Sequence, residues 1–552
     1  MKNNAWKERA LCLLMFCVLA VFYTVTRPLN HSESYDTINY VLFAENFPLG
    51  TAPDSRNILF HAVNRIVVVA ADAVGFNVGT LELLSGISIL LGAMSLVLFA
   101  RLMQRRFGVS AFSAWAGAAF FGFTYGYWRY TGAVEVYIPS IFLILCSLSL
   151  IFQFLDNEDR SLGAVLAAGA FSGIAVLFYQ PNIIVLFIAA LVLFSSKSRL
   201  LSFVQYSVAG AAVFIVGLVW SFTTVKDVAP SPTALLEFVT ERNGEFRERP
   251  SVVVALVKII LSFGHDFFSA HWTQTIDPVR NFLNPRIPGC VYNFQVVEYA
   301  GKGIQSFTAI AAILFLPMLF LLARIHWIAA RKWKSIRLGR PALFFVAWLV
   351  IMGLIVAVID PGSFEAWIPM LVPFSGLLTV LVIEPCYQMG RHRVVLAFLG
   401  LMLAYNFFGG MMIWQNASGD QFLNKTAWIR AELSEDDTVL LSQFDYRLVD
   451  FLQYHSAARI VHLEGDNEVM IARCHPDIST VPVDDLLQQA QSGKFRLFVL
   501  DDIISPTADI KQCRSGEEKF AAAEALGKRL LDRAELVDEN AFGKVYEIRF
   551  TK

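Results

Sequence analysis

Charge is what this sequence has least of: 16% of its 552 residues are Asp, Glu, Lys or Arg, where a soluble globular chain carries roughly 25%. That shortage excludes a large water-soluble protein, because the apolar 56% of the chain gathers in runs of about 17 to 22 residues, the length a helix needs to cross ~30 Å of hydrocarbon. Other absences narrow the field. Seven cysteines show no C-x-x-C or Cys/His metal spacing, so no zinc or dithiol motif is present. The net charge of -1 says nothing about nucleic acid, and no basic, aromatic-interleaved stretch suggests such a partner. The first apolar run, Leu11 to Val25, ends in "VFYTVTRPLN", with no small-x-small cleavage site, so it reads as an uncleaved first span behind Lys2, Lys7 and Arg9. Cys12, Cys17, Cys146 and Cys386 lie in or beside apolar runs, where cysteine packs as a small hydrophobe.

What is present is a polytopic membrane protein. Apolar runs near 10–26, 80–100, 109–127, 136–155, 161–179, 182–195, 202–222, 306–324, 341–359, 366–384 and 394–414 give about eleven crossings. Placing the N-terminus inside makes "RLMQRRFG", "SSKSRLL", "RIHWIAARKWKSIRLGR" and "QMGRHR" cytoplasmic, and the stretch from Arg324 to Arg340 holds six Lys/Arg and no acid. Only "DNEDRS" departs from the positive-inside pattern, and it is short. The expected location is the inner membrane of a cell envelope, with the N-terminus cytoplasmic and the segments 27–79, 223–305 and everything after about 415 periplasmic.

Two of those outer segments are more than loops. Ile58 to Val74 and "SVVVALVKIILSFGHDFFSAHW" are apolar enough for helices but carry His61, Asn64, Arg65 and Asp72 in the first and His265 and Asp266 in the second, which predicts helices lying along the membrane surface. The expected organisation is a membrane domain over 1–415 and a soluble domain over 420–552. In that tail the period changes. "DTVLLSQ", "ARIVHLE", "FRLFVLDD" and "GKVYEIRF" read as strands, and "YRLVDFLQYHS", "VDDLLQQAQSG" and "EEKFAAAEALGKRLLDR" as helices. Strand–helix alternation predicts a C-terminal α/β sandwich with a parallel sheet. The tail has no G-x-G-x-x-G or G-x-x-x-x-G-K-[ST], so a scaffold or acceptor-docking role is expected there rather than nucleotide binding. Export would also permit a Cys474–Cys513 bond.

Several polar residues stand out at the outer ends of spans. Glu33 and Asp36 lie a helical turn apart after the first span, beside Tyr35 and Tyr40. A carboxylate there suits a general base that takes the proton of an acceptor hydroxyl, although solvated loop acids or helix caps give the same spacing. "YGYWRYTGAVEVYIPS" places Arg129 and Glu135 at another outer turn, with Tyr137 following. A guanidinium matches phosphate oxygens in a fork, while an Arg129–Glu135 ion pair fixing two helix ends is the structural alternative. Gln180 in "YQPN" and the Asp-Pro-Gly of "VIDPGSFEAWIP" fit ordinary turn chemistry, but Glu365 beside a span entry, with Trp367, does not. His265, His271 and Asp266 make at most a weak metal pattern, since two histidines six apart do not share a helix face.

Taken together, "ESYDTINYVLFAE", "NILFHAVNRIVV", "YWRYTGAVEVYIPSIF", "YQPN" and "GSFEAWIPMLVP" resemble the C-type (GT-C fold) membrane glycosyltransferases, with local strings similar to the protein O-mannosyltransferase-like branch. The resemblance covers roughly residues 10–415. It implies transfer of a sugar from a polyprenyl-phosphate donor to a hydroxyl on a lipid, glycan or protein acceptor. By position Asp36 would be the base, with Glu33 as neighbour or substitute because the family's adjacent acidic pair is missing. Arg129, with His61 or Arg280, would hold the donor phosphate, and Glu135, Tyr137, Gln180, Glu365 and Trp367 would line the cavity. The leaving group is already a phosphate, so no cofactor is required, and a divalent metal remains compatible with the chemistry. A lipid-linked glycan transporter or assembly protein, or a glycan polymerase or ligase, is the alternative. Charges clustered at the outer edge rather than at mid-span favour the enzyme.

Overall fold

The computed structural model describes residues 2–31, 36–49, 57–156, 162–194, 199–226, 229–240, 252–269, 304–332, 339–359, 361–441, 446–463, 468–471, 479–506 and 516–550. Contacts divide the chain into two units: Met1–Leu29, Leu49–Arg280 and Gly301–Gln415 form one, and Asn30–Pro48, Asn281–Ala300 and Asn416–Lys552 the other.

The first unit is a helical membrane bundle. Eight of its described helices are long and apolar enough to span a bilayer, and the shorter apolar helices Ala111–Phe123, Gly163–Phe178 and Gln180–Leu193 accompany them. In order they are α1 (Lys2–Val25), then α3 (Ile58–Ala73), α4 (Thr80–Arg106), α5 (Ala111–Phe123), α6 (Tyr125–Thr131), α7 (Tyr137–Asp156), α8 (Leu162–Phe178), α9 (Ile183–Leu193), α10 (Arg199–Val225), α11 (Pro232–Thr240) and α12 (Val252–Phe267), with α2 (Asp36–Asn46) belonging to the other unit. They are followed by α13 (Ile304–Ala330), α14 (Arg340–Ile359), α15 (Leu371–Leu378) and α16 (His392–Asn406). Helices dominate because a backbone in hydrocarbon must satisfy its own hydrogen bonds. Outward faces stay apolar, as with Val252 and Ile260 on α12 and Ile313, Leu316 and Phe320 on α13. Such faces would be a liability in water and are the normal surface in lipid.

Small residues and buried hydroxyls hold the bundle together. Gly169 and Gly173 of α8 bring α10 so close that a Cβ on Gly173 would lie 2.6 Å from the Gly210 carbonyl oxygen. Ser147, Ser172 and Tyr206 link α7, α8 and α10 through oxygen contacts of 2.8 and 2.6 Å. The last two spans each contain a π-helical turn, Thr379–Ile383 and Phe407–Met411. Ahead of the second turn, buried Asn406 donates to the Phe123 carbonyl at 2.7 Å and the Phe267 carbonyl at 2.8 Å, and accepts from the Ser269 amide at 3.0 Å. The Ser269 hydroxyl donates to the Gly409 carbonyl at 2.6 Å. The widened turn thus presents a carbonyl that clamps the end of α12 to the last span.

The second unit is an α/β sandwich. Its strands β1 (Thr438–Leu441), β2 (Arg459–Leu463), β3 (Glu468–Ile471), β4 (Ser479–Pro482), β5 (Leu497–Leu500), β6 (Ala534–Asn540) and β7 (Gly543–Ile548) lie in the order β4-β3-β2-β1-β5-β7-β6. Only β2, β1 and β5 run parallel, and the flanking pairs are antiparallel. This corrects the expected all-parallel sheet. β2 leads to β3, and β6 to β7, through connections too short for a crossover, so each pair folds back as a hairpin. Helices α17 (Gln421–Ala431), α18 (Tyr446–His455), α19 (Val483–Gln491) and α20 (Gly516–Leu530) complete the unit. Leu440, Val461 and Val499 align across the three parallel strands and pack with Leu486, Leu526 and Leu530. Val439, Ile460 and Phe498 point to the opposite face, and α18 packs against β2.

Candidate functional site

The most buried polar cluster of the membrane unit is built around α6. The helix of α5 ends at Thr124, whose extended backbone restarts the chain as α6 and whose hydroxyl donates to the Phe121 carbonyl at 2.6 Å. All seven residues of α6 are buried. Such a run of aromatics is tolerable where polar tips find acceptors. The Tyr127 hydroxyl donates to the Gly92 carbonyl at 2.7 Å, the Trp128 indole to the Thr26 hydroxyl at 2.8 Å, and the Tyr130 hydroxyl to Glu365 at 2.8 Å.

Arg129 sits inside this frame with no exposure, its guanidinium carbon 5.2 Å from the centre of the Trp414 ring. Among the described residues it is the only buried Lys or Arg. Burying a guanidinium is costly unless opposite charge answers it, and two carboxylates touch its segment, Asp266 at Gly126 and Glu365 at Tyr130. Glu135 and Asp266 are buried. Asp266 packs directly on Gly126, where any side chain would collide with its carboxylate. Glu365 opens the turn Glu365–Met370 and accepts from Tyr130 and, at 3.0 Å, from Tyr137.

Aromatic rings line one side of the cluster. Phe364, Tyr130, Tyr137 and Tyr179 follow one another at centroid spacings of 5.9, 5.3 and 5.2 Å. His265 packs on Tyr125 at 4.7 Å and on Phe364 at 5.6 Å. Next to Tyr179, Gln180 begins the short turn Gln180–Asn182, and the buried Asn182 amide donates to the Ala175 carbonyl at 3.0 Å. Beyond that turn, α8, α9 and α10 enclose an apolar cavity of ≈ 360 Å³ lined by Val176, Ile183, Phe187, Phe203 and Phe214 among others.

Of the residues read from the sequence, the structure joins Glu365 directly to Tyr137 and sets Arg129, Glu135 and Gln180 in the segments adjoining that pair. Trp367 is buried against Phe263, with ring centroids 5.2 Å apart, and its indole nitrogen has no hydrogen-bond partner among the described residues. His61 is buried on α3, whose neighbours are α4, α8 and α10. Asp36 opens α2 and is half-buried, in the unit that contains the sheet. Glu33, Arg280, Asp360, His271, Cys474 and Cys513 lie outside the described residues. Sequence reasoning did not single out Tyr130, Tyr179 or Trp414, and discounted Asp266. The available signal was the density of aromatics flanking Arg129 in "YGYWRYT". Among the described residues no three His, Cys, Asp or Glu side chains come together as a metal-binding group.

No protein-family model and no curated protein matches the sequence. Solved structures do share the fold. The apo oligosaccharyltransferase of Archaeoglobus fulgidus superposes with a TM-score of 0.53 at 13% identity, covering 94% of this chain and 73% of that one. ArnT from Cupriavidus metallidurans bound to undecaprenyl phosphate gives 0.51 at 14% identity, covering 97% of each chain. The apo form of the same ArnT gives 0.51 at 14%, covering 99% and 98%. The protein is therefore a polytopic membrane protein with the GT-C fold, an α-helical bundle followed by an α/β sandwich.

Proposed function

We propose that the protein transfers a sugar from a polyprenyl-phosphate donor to a hydroxyl acceptor at the non-cytoplasmic face of the membrane. The observation that carries this reading is Arg129, a wholly buried guanidinium framed by aromatic rings, in a fold shared with a structure bound to undecaprenyl phosphate. A fork of N–H donors in a dry site is suited to the phosphate that departs as the glycosidic bond breaks, because charge stabilisation is strongest where water is excluded. The apolar cavity between α8, α9 and α10 suits a prenyl chain entering from the side. Glu365 with Tyr130 and Tyr137 fixes the aromatic wall beside Arg129. His61 and Arg280 are the further phosphate-binding proposals.

Asp36 is proposed as the base that removes the acceptor proton, with Glu33 as the competing candidate. The donor supplies its own leaving group, so the step needs no redox cofactor, and a divalent ion would act only by adding to the charge that Arg129 offers the phosphate. The test is incubation of the purified protein with a panel of labelled polyprenyl-phosphate sugars and a cell-envelope extract that supplies hydroxyl acceptors. Release of polyprenyl phosphate from one of them, abolished by Asp36→Asn and retained by Glu33→Gln, is the expected result. No release from any donor in the panel would overturn the transferase reading, and full activity of Asp36→Asn would remove that residue from it.

A further inference from the structure

The helix that bears Asp36 is anchored within the soluble unit. α2 has eleven residues, of which Thr37, Ile38, Tyr40, Val41, Leu42 and Ala44 are buried, more than one face of a surface-lying helix would bury. It packs against α18. Two buried carboxylates of the C-terminal segment bind this part of the chain, one on α2 and one at His31. Asp450, 1% exposed on α18, accepts from the Asn39 side-chain amide at 3.2 Å. Asp420, fully buried, uses one oxygen to accept from the backbone amide of His31 at 2.8 Å and the other to cap α17 at the Leu423 amide, 3.0 Å away. His31 and the first turn of α2 are thereby each tied to the tail.

The geometry of a helix gives these ties a consequence. Asn39 follows Asp36 by three residues, so both lie on one face of α2. A grip on the Asn39 side chain fixes the rotation of the helix about its axis and with it the direction of the Asp36 side chain. A general base must stand within about 2.6–3.2 Å of the proton it takes, and a displacement of ~1 Å can cost 10²-fold in rate. Burying two carboxylates is a poor route to stability, since apolar residues of similar volume often do as well. Orienting α2 is a function that apolar replacements would not reproduce.

We infer that Asp450 is a positioning residue for the transfer reaction, and that the C-terminal unit serves to set the orientation of the helix carrying the base. The inference rests on Asp36 being that base, and the experiment separates the two. In the full-length protein, the released polyprenyl phosphate is measured for Asp36→Asn, Asn39→Ala, Asp450→Ala and the double exchange Asn39→Asp with Asp450→Asn, which restores an amide–carboxylate pair in reverse. Amide hydrogen exchange over 36–46 is followed beside that of β1. Asn39→Ala and Asp450→Ala are expected to lower kcat by about 10–100-fold with the donor KM unchanged. Exchange in α2 should quicken while β1 is unaffected, and the double exchange should recover kcat. If Asp36→Asn is inactive while Asn39→Ala and Asp450→Ala keep wild-type kcat, the positioning role is overturned and the base survives. If Asp36→Asn is active, both fall. A uniform loss of protection in β1 with no recovery in the double exchange would show Asp450 to be a folding residue and also overturn the inference.

Discussion

The Tyr130 hydroxyl donates to the Glu365 carboxylate across 2.8 Å, joining positions 235 residues apart in the sequence. Tyr137 donates to the second oxygen of the same carboxylate at 3.0 Å. Both tyrosines are buried, so removing the shared acceptor leaves two hydroxyls without it, and each unsatisfied group costs about 1–3 kcal/mol. Glu365→Ala should therefore lower the melting temperature in detergent clearly. Glu365→Gln, which keeps an acceptor oxygen, should lower it less, and Tyr130→Phe least. Equal melting temperatures for Glu365→Ala and wild type would show that this link does not hold α6 to the Glu365 turn.

Arg129 and Lys are not interchangeable at a buried phosphate site. The ammonium lacks the planar fork and is more strongly hydrated, so it loses more on burial. Charge-assisted hydrogen bonds contribute about 1.5–3 kcal/mol each, and the loss of one predicts roughly a 10–150-fold fall in kcat/KM for Arg129→Lys. Arg129→Met removes the charge while keeping an apolar stem over Trp414, and should abolish transfer with the fold intact. Donor titrations with both variants measure this. Wild-type kcat/KM in Arg129→Lys would place the phosphate elsewhere.

The membrane spans were legible in the sequence because each is a local property, an apolar run long enough to cross hydrocarbon, and helices occupy those runs from α1 to α16. Arg129, Glu365 and Tyr137 were legible as polar residues at span ends. Their arrangement was not, since the Tyr130–Glu365–Tyr137 link depends on how distant helices pack. The break at Thr124 was also hidden, because "AFFGFTYGYWRY" reads as continuous helix and only the packing of α6 shows why the chain turns. In the tail, β1, β2, β5 and β7 were visible as apolar runs, whereas β3 and β4 are short and the acidic "AELVDEN" of β6 is largely exposed at a sheet edge, where no apolar pattern is required. The association of α2 with the sheet unit rests on Asn39–Asp450 and His31–Asp420, contacts across about 400 residues that no window of sequence can reveal.

Glycines in the bundle should respond to alanine with opposite signs. On α8 a methyl at Gly173 would meet the Gly210 backbone at 2.6 Å, and overpacking of this kind costs about 1–3 kcal/mol. On α16 nothing lies within 4 Å of the position a Cβ would take on Gly400, so alanine there should stabilise the helix by up to ~1 kcal/mol. Thermal unfolding of Gly173→Ala and Gly400→Ala in the same detergent compares them. A stabilised Gly173→Ala would mean that α8 and α10 are not in close contact.

In the C-terminal unit, burial and the neighbouring Arg430 guanidinium hold the pKa of His455 below its ordinary value. The unfolded chain takes up that proton near pH 6.5 while the folded chain resists it, so the unfolded state binds more protons and stability rises with pH. The contribution is fully present above about pH 6.5 and is lost as the pH falls toward the depressed folded value. The urea midpoint of this unit, followed by protease susceptibility, should drop between about pH 7.5 and 5.5, and His455→Gln should flatten that drop. An unchanged pH dependence in the variant would assign the titration to another group.

Charge and parity predict the side of the membrane on which the tail lies. Lys2, Lys7 and Arg9 flank the first span, and the segment from Arg324 to Arg340 concentrates six Lys/Arg without an acid. Short basic flanks stay in the cytoplasm, so the N-terminus and that segment are expected inside. Eight long apolar helices and three shorter ones then make an odd number of crossings if all of them cross, and the chain from Asn416 onward emerges outside. The shortest members of that count are Ala111–Phe123 and Gln180–Leu193, each too short for a full-thickness span unless the bilayer thins or the helix ends are carried by neighbours. Alkaline phosphatase fused after Lys552 should be active and green fluorescent protein at the same point dark, with the reverse pattern for fusions after Lys332. An active fluorescent fusion at Lys552 would mean that one of the shorter helices does not cross. It would move the sandwich to the cytoplasm and leave the first span, with its basic flank, where it is.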